Sequence, residues 1–487
     1  MFLRLALLSA LPLLADVRLP SVFNTGMVLQ RDRPNAVWGR ADADESITVT
    51  FREQQYQTTA DSLGRWQIAL KPTAAGGPFT LQIAAKNTIS HSDVLVGEVW
   101  LASGQSNMGM AVRACNNADQ EIASSANSQI RFFKVPNTSA PTPAFDVKGE
   151  WSEASTMTTG GYSAAAYYFA KHLNEKLKVP VAILQSAWGG TPAEAWVRGS
   201  ALAADPALSH VNHYWAEVLD AYPDALLQHN RAVAQWDAKG KSGPRPAEPR
   251  GPGHQHSPSV LWNGMIHPLV PYGIRGAIWY QGETNASVAR AAYYQRLMAT
   301  LITDWRHAFG QGDFPFLYVQ LANYARPGTN DGWPLLREAQ LKTLEVVNTG
   351  MAVAIDIGEA QDIHPKNKQD IGLRLAMQAL AIAYGEKFVH QGPMYRQAAR
   401  EGSTMRVWFD DAPNGLASKG ALEGFEIAGA NGKFVPATEV KIDGQSVVVS
   451  NPAVHAPTQV RYGWADDPKA TLTNVEGLPA SPFRTRN

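Results

Sequence analysis

Short stretches in which apolar and polar residues alternate fill the chain from Asp16 to about Asp93. In the segment 47–51, isoleucine, valine and phenylalanine are separated by two threonines, which is the period of two of a half-buried β-strand. Comparable short runs, separated by glycine, proline and serine, occur at Met27–Leu29, Ala36–Trp38 and Trp66–Leu70. Strands this short at this spacing predict a small β-sandwich-like domain over residues 16–93.

The hydrophobic pattern changes after residue 93. Apolar runs with little alternation occur at Val99–Ala102, Val181–Leu184, Ala277–Tyr280, Phe316–Leu321 and Ala352–Ile355. Helical stretches such as Tyr162–Leu177 and Tyr293–Trp305 lie between them. The segment after the last run carries one apolar helical stripe at Ile371, Leu375, Ala379 and Ile382. Strands of this kind alternating with helices predict an α/β domain over residues 94–385, with a parallel sheet buried on both faces.

One segment, about 192–259, interrupts this order. It contains a predicted helix over Asp224–Trp236, opened by Pro223, and then the stretch Gly240–Pro258, which is rich in Gly, Pro, Arg and His. A structureless loop of about twenty residues is unusual inside a compact domain. We therefore predict an insertion that lies over one end of the sheet.

The chain returns to strand patterns beyond Gly385. Such patterns occur at Met405–Phe409, Val447–Val449 and Val460–Trp464. They predict a C-terminal β domain over residues 386–487.

The first fifteen residues resemble a secretory signal. Arg4 supplies a positive start, Leu5–Leu14 an apolar stretch, and Ala15 a small residue at a plausible cleavage point. No later stretch approaches the roughly 18 apolar residues of a membrane span. We therefore expect a protein without a membrane span, exported to the periplasm or the extracellular space.

Charge and cysteine content narrow the function classes. Lys plus Arg and Asp plus Glu both number 43, so the formal net charge is zero, whereas nucleic-acid binders are usually basic. We expect no nucleic-acid partner. The single cysteine, Cys115, excludes an intrachain disulfide and lies in a polar stretch without the signature of a catalytic nucleophile.

Polar side chains and glycines follow the predicted parallel strands, at the edge where ligands bind in such sheets. Ser106 follows the first strand, and Gly189 and Gly190 follow the second. The third strand ends in the segment 281–285, Gln-Gly-Glu-Thr-Asn, and the fifth is followed by the segment 362–365, Asp-Ile-His-Pro. A serine, a Gly pair, amide side chains and an Asp/His pair are what an acyl-transfer site requires. Four such features at four strand ends predict a catalytic site.

The motifs as a set resemble those of the SGNH (GDSL-like) hydrolase superfamily, and within it the sialate O-acetylesterase type of carbohydrate esterase. Met108 rules out the G-x-S-x-G pattern of the usual α/β-hydrolases. The resemblance covers nearly the whole mature chain. It rests on the segments 27–31, 37–39, 97–108, 188–191, 263–266, 279–285, 362–365 and 477–480.

The resemblance implies an SGNH-type three-layer fold and a serine esterase that removes O-acetyl groups from carbohydrates without a metal or other cofactor. Ser106 would be the nucleophile and His364 the general base. The backbone N–H groups of Ser106 and of Gly189 or Gly190 would hold the oxyanion, together with an amide side chain from the third strand end.

Two positions depart from the superfamily pattern. After Gly282 the expected asparagine falls one residue late, at Asn285, so Gln281 and Asn285 compete as the third oxyanion donor, with Asn285 preferred. The acid of the triad would normally lie three residues before the histidine, but Asp362 lies two before His364. Asp362 is our candidate for the third triad member, and the alternative is a Ser–His dyad oriented by a backbone carbonyl.

Residues beside these groups are assigned to substrate binding: Gln105, Asn107, Trp188 and Glu283. Trp188 would stack on a sugar face, and Glu283 would act as an assistant or as a buried acceptor.

The substrate stays open between acetylated hemicellulose, such as xylan or xyloglucan oligosaccharides, and O-acetylated sialic acids. The neutral charge favours the first. A non-catalytic carbohydrate-binding protein, and a metal-dependent deacetylase using His254, His256 and Asp residues, are the alternatives. The sequence does not indicate an oligomeric state.

Overall fold

The computed structural model of the protein describes residues 16–325 and 331–485. The predicted signal sequence, residues 1–15, lies outside the described residues. Within the described ranges, no helix is both long and apolar enough to cross a membrane.

The amino-terminal part is built of short strands that pair mainly as antiparallel ribbons. In β3, Ile47, Val49 and Phe51 are buried while the residues between them are partly exposed, as the alternation predicted. β3 pairs with β4 and β6, β2 pairs with β5, and β1 lies parallel to β7. The strands are β1 (Val28–Gln30), β2 (Asn35–Arg40), β3 (Ser46–Phe51), β4 (Gln54–Thr59), β5 (Arg65–Leu70), β6 (Gly76–Ala84) and β7 (Thr88–Gly104).

β7 joins this part to the central sheet. Its first half pairs with β6, and its second half, buried throughout, forms the middle of the parallel sheet. The predicted boundary at residue 93 therefore falls inside one continuous strand. A single hydrophobic core runs from Val17 through the central sheet to Met394.

The central sheet has the strand order β13-β12-β11-β7-β10-β8-β9. All pairs are parallel except β8–β9. The five predicted strands are present as β7, β10, β11, β12 and β13, whereas β8 and β9 were not predicted, because Arg131 interrupts the apolar run of β8 and β9 is polar. The additional strands are β8 (Asn127–Lys134), β9 (Glu150–Ala154), β10 (Val181–Ala187), β11 (Gly276–Tyr280), β12 (Phe316–Gln320) and β13 (Thr349–Val353).

Helices cover both faces of this sheet. Leu317 of β12 points toward α8, and its neighbour Tyr318 donates a hydrogen bond to the Gln340 carbonyl of α7, on the opposite face (2.8 Å). The predicted three-layer α/β architecture is thus confirmed, as is the buried stripe of α8. The helices are α1 (Ser106–Gly109), α2 (Ala118–Ala123), α3 (Ala164–Leu177), α4 (Gly199–Ala204), α5 (Ser209–Ala238), α6 (Val288–Phe309), α7 (Gly332–Lys342) and α8 (Lys368–Ile382).

Single turns of 3₁₀-helix, and one of π-helix, connect several of these elements. Glu283–Asn285, directly after β11, and Ala193–Trp196, after β10, are the two that lie beside the candidate site. The others are Val112–Ala114, Thr159–Gly161, Pro206–Leu208, Trp262–Ile266, His267–Leu269 and Thr343–Glu345.

The insertion is more helical than its sequence predicted. Our helix over 224–236 was too short, because α5 begins at Ser209 and contains Pro223 in its interior. Proline lacks the amide hydrogen that would bond the carbonyl of Leu219. Both residues are exposed, so water can satisfy that carbonyl and the helix continues.

The carboxyl-terminal strands surround a core of their own, which includes Val407, Ile427 and Tyr462. They form two four-stranded sheets, β14-β15-β20-β19 and β18-β17-β21-β23, and the pair β16-β22. The strands are β14 (Met394–Glu401), β15 (Thr404–Asp410), β16 (Leu416–Ser418), β17 (Phe425–Ala428), β18 (Val435–Pro436), β19 (Glu439–Asp443), β20 (Ser446–Ser450), β21 (Gln459–Tyr462), β22 (Leu472–Asn474) and β23 (Phe483–Arg484).

Candidate active site

Ser106 and His364 meet at the carboxyl edge of the central sheet. Ser106 is the first residue of α1, directly after β7, and is half-buried. The Nε2 atom of His364 lies 2.8 Å from the Ser106 Oγ atom, which is hydrogen-bond distance. This is the geometry in which an imidazole can take the proton of an attacking hydroxyl.

Asp362 lies beside His364 but is bonded to its backbone. The Oδ1 atom of Asp362 accepts a hydrogen bond from the His364 backbone N–H (2.9 Å) and lies 3.6 Å from the ring Nδ1. The longer distance exceeds a hydrogen bond, so Asp362 shapes the turn and places a carboxylate near the imidazole without bonding it.

Gly189 packs directly against the serine. A Cβ at position 189 would lie 3.3 Å from the Ser106 Cβ, a tighter approach than most side chains make. Gly190 has a φ of +73°, in the left-handed region that favours glycine, and a Cβ there would meet open space. The segment after β10 thus presents exposed backbone to the nucleophile.

Gln281 and Asn285 lie in a fully buried amide network behind that segment. Gln281 donates both amide hydrogens to protein acceptors, the Asn285 Oδ1 atom (2.7 Å) and the Thr191 carbonyl (3.2 Å). Asn285 donates to Glu194 (2.9 Å), and its Oδ1 accepts from the Ala193 backbone N–H (3.0 Å). Both side chains therefore tie the end of β11 to the segment that follows Gly190.

A second buried network lies beneath the Ser–His pair. Asn107 donates to the Glu283 carboxylate (2.5 Å) and to the Ile363 carbonyl (2.9 Å), and its Oδ1 accepts from the Lys368 ammonium (2.9 Å). Lys368 also donates to the carbonyl of Pro365 (2.5 Å). The network connects the residue after the serine to both sides of His364.

Burial perturbs the two ionisable members of this network. Burial raises the pKa of Glu283, a rise that the hydrogen bond from Asn107 opposes. Burial lowers the pKa of Lys368 to about 8. Charge is costly in such surroundings unless it is hydrogen-bonded, so the network holds a weakened base and a weakened acid close together.

The residues assigned to substrate binding differ in accessibility. Gln105 and Asn107 are buried, and the Gln105 Oε1 accepts the Thr284 backbone N–H (3.3 Å). Glu283 is also buried, in the position of an internal acceptor. Trp188 is half-buried, and its backbone N–H donates to the Gly104 carbonyl (3.1 Å). Trp188 is therefore the one of the four with a partly open side chain.

The surroundings of Cys115 and of the His254–His256 pair do not favour catalysis. Burial raises the pKa of Cys115 to about 11, which disfavours the reactive thiolate. His254 and His256 pack with ring centroids 4.8 Å apart, and no group of three or more His, Cys, Asp or Glu side chains suited to a metal occurs within the described ranges.

Comparison with known proteins gives the family. A model described as carbohydrate esterase, sialic acid-specific acetylesterase matches residues 263–381. The sialate O-acetylesterase of Rattus norvegicus is 32% identical over 528 residues, covering 96% of this chain and 94% of the relative. The Homo sapiens sialate O-acetylesterase is 31% identical over 520 residues, covering 96% and 92%. The chain belongs to the sialate O-acetylesterase family of carbohydrate esterases.

A solved structure agrees with this membership. The crystal structure of a carbohydrate acetylesterase from Xanthomonas citri matches with a TM-score of 0.84 and 38% identity, covering 97% of this chain and 100% of that chain. The resemblance drawn from the sequence motifs is thereby confirmed. As a member of the sialate O-acetylesterase family, the protein is a carboxylic ester hydrolase.

Sequence reasoning missed two polar residues of this family member. Lys368 gave no signal of burial, since a lysine at the first position of a helix is usually solvated. Glu194 is buried against Asn285, and no sequence motif around it indicated this. The burial of both residues depends on contacts between strand ends that are distant in sequence.

Proposed function

We propose that this enzyme is an exported serine esterase that removes O-acetyl groups from carbohydrates, with Ser106 as nucleophile and His364 as general base. The observation that carries the proposal is the 2.8 Å contact between Ser106 Oγ and His364 Nε2. Export rests on the signal-like residues 1–15 of the sequence.

The reaction follows from this contact. Ser106 Oγ attacks the acetyl carbonyl carbon while His364 Nε2 takes the hydroxyl proton. The same imidazole then gives that proton to the departing sugar oxygen, which leaves an acetyl-serine. A water molecule, deprotonated by His364, then attacks the acyl carbon, and the imidazolium returns the proton to the Ser106 Oγ atom as acetate is released.

The oxyanion of the tetrahedral intermediate needs preorganised donors. We assign the backbone N–H of Ser106 and that of Gly189 or Gly190. The first turn of a helix leaves such donors without an intrahelical acceptor, and Gly189 approaches Ser106 closely. Gln281 would act mainly by fixing the segment that carries these donors, because both of its amide hydrogens bond protein acceptors. Asn285 fixes the same segment through Glu194 and Ala193, and it stays our candidate for the third donor.

Asp362 is assigned as the electrostatic partner of His364. Its carboxylate is close enough to favour the imidazolium that forms in the transition state, although it bonds the backbone rather than the ring. Gln105, Asn107 and Glu283 would support the site from beneath, and Trp188 would offer a face to a sugar ring.

The substrates we propose are acetylated hemicellulose oligosaccharides, of xylan or xyloglucan, with O-acetylated sialic acids as the other candidates. The zero net charge shows no cationic bias toward an anionic sugar, which favours hemicellulose. The names of the mammalian relatives favour sialic acid, and the Xanthomonas citri neighbour is named for carbohydrate generally.

The test is acetate release from a panel of acetylated xylan, acetylated xyloglucan oligosaccharides and O-acetylated sialic acids. We expect one class to dominate, and we expect activity to survive chelators and to be abolished by a serine-directed organophosphorus reagent. Activity lost to chelators would favour the metal-dependent alternative. Absence of acetate release from every substrate, with the protein folded, would favour a binding protein.

A further inference from the structure

The insertion and the start of α6 enclose a cavity of about 350 Å³. This volume falls within the range of small-molecule sites, roughly 300–1,000 Å³. The walls come from α5, from the segment 250–258 and from the first turns of α6. The cavity is therefore built largely by the insertion, which no step of the chemistry uses.

The cavity adjoins the segment proposed to hold the oxyanion. The imidazole of His256, one of its wall residues, lies near the backbone of Gly190. Glu194, another wall residue, bonds Asn285 on one side and accepts the Ser259 backbone N–H through its carbonyl (3.1 Å) on the other. Gly190 is the neighbour of Gly189, which packs on Ser106, so the His256 ring and the glycine pair separate the cavity from the serine.

The wall combines aromatic faces with cationic donors. Tyr214, Trp215 and Tyr293 supply rings, and Tyr214 is 46% exposed. Arg250 and Arg290 supply guanidinium groups, of which Arg290 also donates to the Thr284 carbonyl (3.2 Å) and lies 4.0 Å from the Glu194 carboxylate. Asn285 bonds that carboxylate as well. Aromatic faces pack on the C–H face of a sugar ring, and guanidinium N–H groups donate to its hydroxyls or to a carboxylate.

His256 completes this wall as a neutral group. Burial, and then the nearby charge of Arg250, lowers the pKa of His256 to about 4. Its Nδ1 atom is buried and makes no hydrogen bond of standard geometry within the part of the chain that the structure describes. His256 therefore contributes an uncharged ring to the cavity wall.

We propose that this cavity is a glycosyl subsite that binds a pyranose ring of the substrate next to the ester being cleaved. The proposal rests on the proposed esterase function and adds the place where the enzyme holds its sugar. The insertion would thus set substrate preference by stacking and by hydroxyl or carboxylate recognition, while the strand ends supply the chemistry.

The test measures binding apart from turnover. In the Ser106→Ala background, an acetylated xyloglucan oligosaccharide and an O-acetylated sialic acid are each titrated by calorimetry against Tyr214→Ala, Arg250→Ala and their combination. Both side chains lie at the exposed rim, so the folded state should survive their truncation. Arg245→Ala is the matched control, because Arg245 is exposed on the same insertion but does not line the cavity.

We expect the double variant to bind at least one of the two sugars about tenfold more weakly, and the control to bind as the parent does. In enzymes that retain Ser106, the loss of kcat/KM on the same oligosaccharide should exceed the loss on an aryl acetate by a similar factor. Unchanged binding of both sugars, or equal losses on both kinds of substrate, would overturn the subsite. Lack of acetate release by the wild-type enzyme would instead overturn the proposed function.

Discussion

His364 Nε2 and Ser106 Oγ lie 2.8 Å apart, although 258 positions separate the two residues along the chain. Ser106 follows β7 in the middle of the sheet, and His364 lies in the loop after β13 at its edge. Parallel strands bring their carboxyl ends to one edge, which is why two such distant residues meet. The order of the strands in the sheet therefore brings Ser106 and His364 together.

Replacing Ser106 by alanine should leave the fold unchanged and reduce kcat by several orders of magnitude. Removing the nucleophile of a serine hydrolase costs up to about 10⁶-fold. Hydrolysis of an aryl acetate measures the loss, and an unaltered melting temperature serves as the control. A variant with more than about a tenth of wild-type turnover would contradict the mechanism.

The Asp362→Asn variant should show whether the enzyme uses a Ser–His–Asp triad or a Ser–His dyad. Asparagine keeps an oxygen that can accept the His364 backbone N–H, so the turn survives and only the charge is removed. We expect a loss of at least about a hundredfold in kcat, compared with about 10⁴-fold for the corresponding change in the well-known protease triad.

Asp362→Ala provides the comparison for that experiment, since it removes the backbone acceptor as well. A folded Asp362→Asn enzyme with near-normal kcat would show that Ser106 and His364 act as a dyad.

Gly189→Ala should lower kcat on the order of tenfold with little change in melting temperature. The added Cβ would lie 3.3 Å from the Ser106 Cβ, so the serine must shift by a few tenths of an ångström, and small displacements of reacting groups are costly. Gly161→Ala is the control, since a Cβ there meets nothing within 4 Å and Gly161 has no positive φ. Equal activity of the two variants would refute the close approach.

Lys368→Met should reveal the buried ammonium through the pH dependence of stability. In the folded protein the pKa of Lys368 is about 8, below the 10.5 of a solvated lysine, so its charged form is penalised on folding. That penalty is complete below pH 8 and is relieved as pH rises toward 10.5. The unfolding free energy of the wild type relative to Lys368→Met should therefore increase across this window, by up to about 3 kcal/mol.

Denaturant unfolding at several pH values between 7 and 10.5 measures this difference. Subtracting the variant removes the contributions of the titrating groups that do not interact with Lys368. A difference that stays constant with pH would contradict the perturbed lysine.

The sequence predicted those parts of the fold whose hydrophobic pattern is local. The five buried strands and the stripe of α8 are continuous in sequence and were found. β8 was missed because Arg131 lies inside it, and that charge is accommodated by Asp93 on a distant strand (2.7 Å). The start of α5 was missed because Pro223 suggested a helix start. The solvent exposure that allows the helix to continue through Pro223 cannot be read from the sequence.

The candidate site likewise combines residues that local sequence patterns predict with residues whose roles depend on tertiary contacts. Ser106, His364 and the glycine pair follow predicted strand ends, so sheet topology alone brings them to one edge. The hydrogen bonds from Asn285 to Glu194 and from Lys368 to Asn107 join residues 91 and 261 positions apart and depend on side-chain directions. The cavity of the insertion likewise forms only when α5, the segment 250–258 and α6 come together.

The continuity of β7 limits how this protein can be divided. A fragment that began at residue 94 would retain Ser106. Its β7 strand would lack β6 along one edge and β1 along the other. Backbone donors and acceptors that the full chain pairs would then face water beside the strand that carries the nucleophile. The amino-terminal strands are therefore unsuited to exchange as a separate module.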